Sequence, residues 1–264
     1  MRPTVMRRTA VAASTVCLAL LATACGGSDS GSGSDGKGSD TKGKESAAAN
    51  PAVKALTVAE LEKAALAQGD VEGEKIAKAT AKDTITADAV TVEKEACTAF
   101  ADALMGAPIG KPAASIQRHS VSEPKKGDKD KQDSADPAEA FQAAFDITTT
   151  QIGLASYDGK GAEETIAGLR TAATECAGGF AFTAAGTKQK VSKITEEQIK
   201  AGEEALAWTV LVEQDGEKSP FKLVAFRQGA TVVSFSAFNL AAAGGGADFG
   251  LPTALVERQA AKLA

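Results

Sequence analysis

The sequence predicts an α+β fold, an antiparallel β-sheet meander packed with helices and held by one disulfide. Three observations lead there. Apolar residues recur at helical spacing in four segments, they alternate at strand spacing through the last third, and two cysteines lie on helical stripes.

The first helix opens at "LTVAELEKAAL". Thr57 is placed to cap it, Glu60 completes a T-x-x-E capping box, Leu56 can staple onto Leu61, and the end falls near Gly69. Val71 to Ala79 reads as a weak strand. The second helix carries Cys97, Phe100, Ala101 and Leu104 on one stripe and stops at Gly106. Residues 113–122 form a strand with Ile116, Arg118 and Ser120 on one parity. Residues 123–139 alternate charge sign without apolar pattern, which predicts a solvated loop. The next strand runs from Phe145 through Ile147, Thr149, Ile152 and Leu154. Its parity changes midway, so a bulge is expected near Thr150.

The third helix spans Gly161 to Gly178, with Ile166, Leu169, Ala173 and Cys176 inward. Strands follow at Phe180–Phe182 and Val191–Ile194, and Thr195–Lys200 is expected to turn briefly helical. Leu206, Trp208, Val210 and Val212 alternate along a strand, "QDGE" supplies a hairpin turn, and Phe221, Leu223 and Ala225 run back. A turn at Gln228-Gly229 leads to Val233 and Phe235. The Gly-rich 241–252 segment then frees the chain for a fourth helix bearing Leu255, Val256, Gln259 and Leu263. Four helices and roughly seven strands in mixed order give the α+β class.

The start of the chain speaks of location. Arg2, Arg7 and Arg8 precede an apolar run from Ala10 to Ala22, and Ala22, Thr23 and Ala24 lead into Cys25. Residues 1–24 therefore read as a secretory signal peptide, too short for a transmembrane helix. The motif resembles the lipobox of bacterial lipoproteins, with Ala22 standing where leucine is commonest. It implies cleavage before Cys25 and a diacylglycerol on that sulfur, which holds the protein on the outer side of the cell membrane. Acyl chains contribute about 0.8 kcal/mol per buried CH₂, so two anchor firmly. Residues 25–52 then serve as lipidated cysteine and Gly/Ser-rich tether, spanning roughly 25–30 Å as a flexible coil, and 53–264 as the folded domain.

Loss of the signal removes three arginines and no acid, leaving 26 basic and 34 acidic residues, net −8. Nucleic acid is an unsuited partner for such a surface. Two cysteines then remain, Cys97 and Cys176, and in an oxidising compartment they are expected to pair.

"EACTAFADAL", "GLRTAATECAGGF", "ALAWTVLV", "FKLVAFRQGATVVSFSAFN" and "ALVERQAAKLA", with the opening helix, give residues 53–264 a loose resemblance to the extracellular sensor domain of PknH-type receptor kinases and the lipoproteins sharing it. The resemblance implies an antiparallel sheet with helices packed on it, a disulfide joining two helices, and a cleft for an unidentified ligand, without catalytic residues. The kinase examples carry a second disulfide in the C-terminal strands. This chain has no cysteine there, which leaves the shape of the cleft untransferred.

Catalytic chemistry is weakly signalled. His119 and Ser120 with any carboxylate spell a triad on paper, but strand neighbours point to opposite faces. One histidine and two helical cysteines leave no closed metal set, and the glycines at 244–246 lack the lysine of a phosphate loop. No cofactor is expected. Strand aromatics could instead wall a pocket: Trp208, Phe226, Phe235 and Phe238, with Tyr157 near a helix entrance. Arg227 is the candidate anchor for an anionic head group, and Arg118 a second. The function read from these residues is a non-catalytic binding module for a small amphipathic, cell-wall or protein ligand. The alternative is an envelope hydrolase with an unrecognised site.

Overall fold

In the computed structural model, residues 53–123, 136, 140, 143–243 and 248–264 are described. The signal peptide, Cys25, the tether, nearly all of the charged 123–139 segment and the glycines at 244–246 lie outside the described residues.

Nine antiparallel strands form one sheet among the described residues. They are β1 (Glu74–Lys78), β2 (Val90–Val92), β3 (Ala114–Ser122), β4 (Thr148–Ser156), β5 (Phe180–Ala184), β6 (Thr187–Glu197), β7 (Glu204–Gln214), β8 (Glu217–Gln228) and β9 (Thr231–Asn239). Their order is β1-β3-β4-β9-β8-β7-β6-β5-β2. Side chains alternate across this sheet, so each strand supplies residues to two separate cores. On one face Trp208, Val210, Leu223, Ala225 and Val232 pack with helices α2 (Thr98–Met105) and α3 (Gly161–Glu175). On the other, Ile116, Ile152, Leu154, Val224, Phe226 and Phe235 pack with α1 (Val58–Ala64) and α4 (Thr253–Leu263). The sheet is thus the middle of three layers.

The local chemistry of the helices follows the sequence closely. Glu60 N–H donates to Thr57 Oγ1 at 3.3 Å while Thr57 N–H donates to Glu60 Oε2 at 2.8 Å, the reciprocal capping box. This helix stops at Ala64, five residues before Gly69, because Ala65 is extended. At the end of α2, Gly106 takes φ +78°, and a Cβ there would lie 2.9 Å from Gln151 Cβ. Both the left-handed backbone and the close approach to β4 require glycine. Cys97 caps the start of α2 and Cys176 the end of α3, with Cα atoms 5.9 Å apart, and the two form the disulfide.

Three expectations need correction. The register of β4 with both neighbours is regular through Thr150, so there is no bulge there. The parity change arises because the strand begins at Thr148, leaving Phe145 and Ile147 outside the ladder. The register shift falls instead between Val191 and Lys193 of β6. Thr195–Glu197 remain in β6, paired with β7, rather than turning helical, and 198–200 are irregular. The strand count rises to nine because short edge pieces such as Val90–Val92 are held by pairing to β5, a tertiary contact without local signal.

Candidate functional site

The helical layer over the α2 and α3 face is shorter than the sheet beneath it. Eight residues of α2 reach about 12 Å, whereas eleven or twelve residues of β7 and β8 extend about 36 Å. Gly106 turns the chain away, and the strands run on to a tight hairpin. Asp215 (φ 53°) and Gly216 (φ 88°) both take positive φ there, as a type I′ turn demands.

The uncovered strand ends form an open cleft of about 570 Å³. Its floor is the same-face residues of five strands, among them Phe238 of β9, Phe221 of β8 and Val212 of β7; Leu104 and Met105 of α2 and Ile85 form the apolar wall. The Phe221 and Phe238 rings lie 5.1 Å apart, tilted by 37°. Amides and hydroxyls, namely Gln151, Gln189, Gln214, Thr149, Ser219 and Ser236, line the rest with the carboxylates of Asp215 and Glu217. Ser236 Oγ donates to the Leu104 carbonyl, tying floor to wall. Such a space, apolar below and polar at its margin, suits a chain or ring with a polar end.

A second cleft of about 510 Å³ opens on the opposite face between β4 and the 248–255 segment. Its lining is more polar, with Glu74, Glu123, Asp146 and Asp248. Among the described residues no group of three or more His, Cys, Asp or Glu side chains could hold a metal ion.

The residues singled out by sequence are distributed as follows. Trp208 is buried on the α2 and α3 face, its ring 5.3 Å from Phe100 in an edge-on contact. Phe226 and Phe235 are fully buried on the other face, 6.1 Å apart. With the sheet between them, these three cannot wall one pocket, and none lines either cleft. Arg227 is held by Glu203 and the Gly229 carbonyl, where it fastens the loop before β7 to the β8–β9 turn. Arg118 is buried beneath α1, donating to the Leu66 carbonyl at 3.1 Å and to Glu62 at 2.8 Å. The same pair, with Lys78, holds the Glu62 carboxyl below the usual range. Both arginines are thus neutralised by chain carboxylates. Tyr157 donates to the Ile109 carbonyl at 2.6 Å, and burial pushes its phenol up to about 12. Of the aromatics considered, Phe238 alone reaches a cleft.

Ser120 and His119 do not meet. Ser120 Oγ donates to Glu74 at 2.5 Å on the α1 face, while His119 stands opposite Gln151 on the other parity. Burial raises the Glu74 carboxyl, and the serine bond opposes that rise. The triad written from the sequence is therefore not assembled.

No family model matches the chain, and no curated protein matches it. Among solved structures it is similar to the crystal structure of the extracellular domain of PknH from Mycobacterium tuberculosis, at 13% identity and a TM-score of 0.43. The match covers 80% of this chain and 96% of that one.

Proposed function

We propose that this protein is a lipid-anchored, extracytoplasmic binding module that takes an amphipathic ligand into the cleft between α2 and the β7–β8 hairpin. One observation carries the reading: the strand ends present Phe221 and Phe238, both partly exposed, to an open space instead of to a covering helix. Partly exposed rings and a methionine at a concave surface lose more water-contacting apolar area on binding than a flat surface would. The basic start, apolar run and Cys25 support display outside the membrane. Acyl anchoring would hold the cleft near lipid and wall material, where amphiphiles are concentrated.

The full chain titrated with N-phenyl-1-naphthylamine, an uncharged apolar fluorophore, should show saturable enhancement with one site per molecule. Native mass spectra of the protein purified from its host should show a retained small molecule. Fluorescence that rises linearly without saturation, with spectra free of any adduct, would overturn the proposal.

A further inference from the structure

The charge of the cleft is one-sided. Its lining carries Asp215 and Glu217 and, among the described residues, neither lysine nor arginine. The two acids stand at the hairpin that closes one end, and both are exposed. Glu217 pairs with Gln214, on the parity of Val212 and Phe221, so its carboxylate belongs to the cleft side of the sheet. No ion pair takes up either acid among the described residues. The nearby cations are turned elsewhere. Lys218 lies between Glu217 and Ser219 and so takes the opposite face, across from Glu213. Lys188 is held by Glu93 at 2.8 Å.

Resting on the reading of this cleft as a binding site, we infer that it selects an amphiphile with a cationic head group, an amine or quaternary ammonium on an apolar chain. The chain would lie against Phe221, Phe238 and Met105. The head would emerge beside Asp215 and Glu217, where two negative charges favour a cation and oppose a carboxylate or phosphate. The amides of Gln189 and Gln214 supply carbonyl acceptors for ammonium hydrogens at the same end. This is the reverse of the anionic ligand that Arg118 and Arg227 suggested, since both guanidiniums are engaged by Glu62 and Glu203.

The test compares three twelve-carbon probes below their micellar concentrations: dodecyltrimethylammonium, monolaurin and laurate. Each displaces bound N-phenyl-1-naphthylamine from the full chain at low salt. The expected order is cation, neutral, anion, with about ten-fold between the extremes, because unit charges a few ångströms apart near a surface interact at that scale. The order should compress at high salt. In the Asp215→Asn, Glu217→Gln double variant the ratio should fall to within about two-fold. Equal displacement by the three probes, a preference for laurate, or an order unchanged in the double variant would overturn the inference while leaving the cleft as a site. Absence of fluorophore binding would remove the cleft reading itself.

Discussion

Asp102 offers the sharpest test of how α2 is built. It lies on the side of the helix away from the Cys97, Phe100 and Leu104 stripe, yet it is only 3% exposed and its Oδ1 is buried without a partner among the described residues. Loss of water penalises the charged form, and burial pushes the carboxyl from 3.8 up to about 7. The unfolded chain loses this proton near pH 4 and the folded chain near pH 7, so between those values the folded state binds more protons. Stability therefore falls as pH rises through that window. Three pH units correspond to a loss of about 4 kcal/mol at most. We predict that Asp102→Asn removes the dependence. The variant should gain about 4 kcal/mol at most on the wild type as pH rises from 4 to 7.5, and an unpartnered amide would lower its whole profile by a constant of roughly 1 to 3 kcal/mol without changing that gain. Urea unfolding followed through Trp208, the one tryptophan and a core residue, reads this directly. Parallel stability profiles for the two proteins across pH 4–7.5 would refute the reasoning.

Other consequences are open to measurement. Replacing Cys97 and Cys176 by alanine opens a link between residues 79 apart. It should cost about 4 kcal/mol in the chain-entropy picture, seen as a lower urea midpoint with the fold retained. Asp70 is bound by Lys262 at 2.5 Å, the Ala67 amide at 2.8 Å and Arg258 at 3.0 Å, and these hold its carboxyl down at about 2. Its contribution of about 2 kcal/mol is present above pH 4 and lost as pH falls towards 2, so Asp70→Asn should destabilise at pH 6 and be neutral at pH 2, as thermal melts at the two pH values would show. Cys25→Ser should move the protein from the membrane fraction to the medium, and persistence at the membrane would remove the anchor assignment.

The parts of this fold legible in the sequence are those set by neighbours along the chain. The capping box at Thr57, the stripes of α2 and α3 and the I′ turn at Asp215-Gly216 depend on residues within one or two turns of each other. The disulfide is legible for a different reason, since the expected export and lipidation leave Cys97 and Cys176 and therefore a single pairing. The place and lining of the cleft are not legible, because they arise from a mismatch in length between an eight-residue helix and strands from five parts of the chain. Alternation shows that Trp208 and Phe226 each face a core but not that the cores are two. An arginine among apolar strand residues looks like an anion anchor until its carboxylate partner, 56 residues away for Arg118, is seen. Phe221 reads in sequence as one more core residue, although it is partly exposed at the cleft floor.

The claim on which the account rests is that the cleft between α2 and the β7–β8 hairpin, rather than the polar cleft on the other face, receives an apolar ligand. Met105→Trp adds a large ring to the wall of the first, and Thr253→Trp adds one to the exposed rim of the second. Both proteins are titrated with N-phenyl-1-naphthylamine after circular dichroism and urea melts establish that they fold. The account predicts that Met105→Trp weakens binding at least ten-fold, about 1.4 kcal/mol, while Thr253→Trp binds as the wild type does. Undiminished binding in Met105→Trp, or a loss confined to Thr253→Trp, would contradict it.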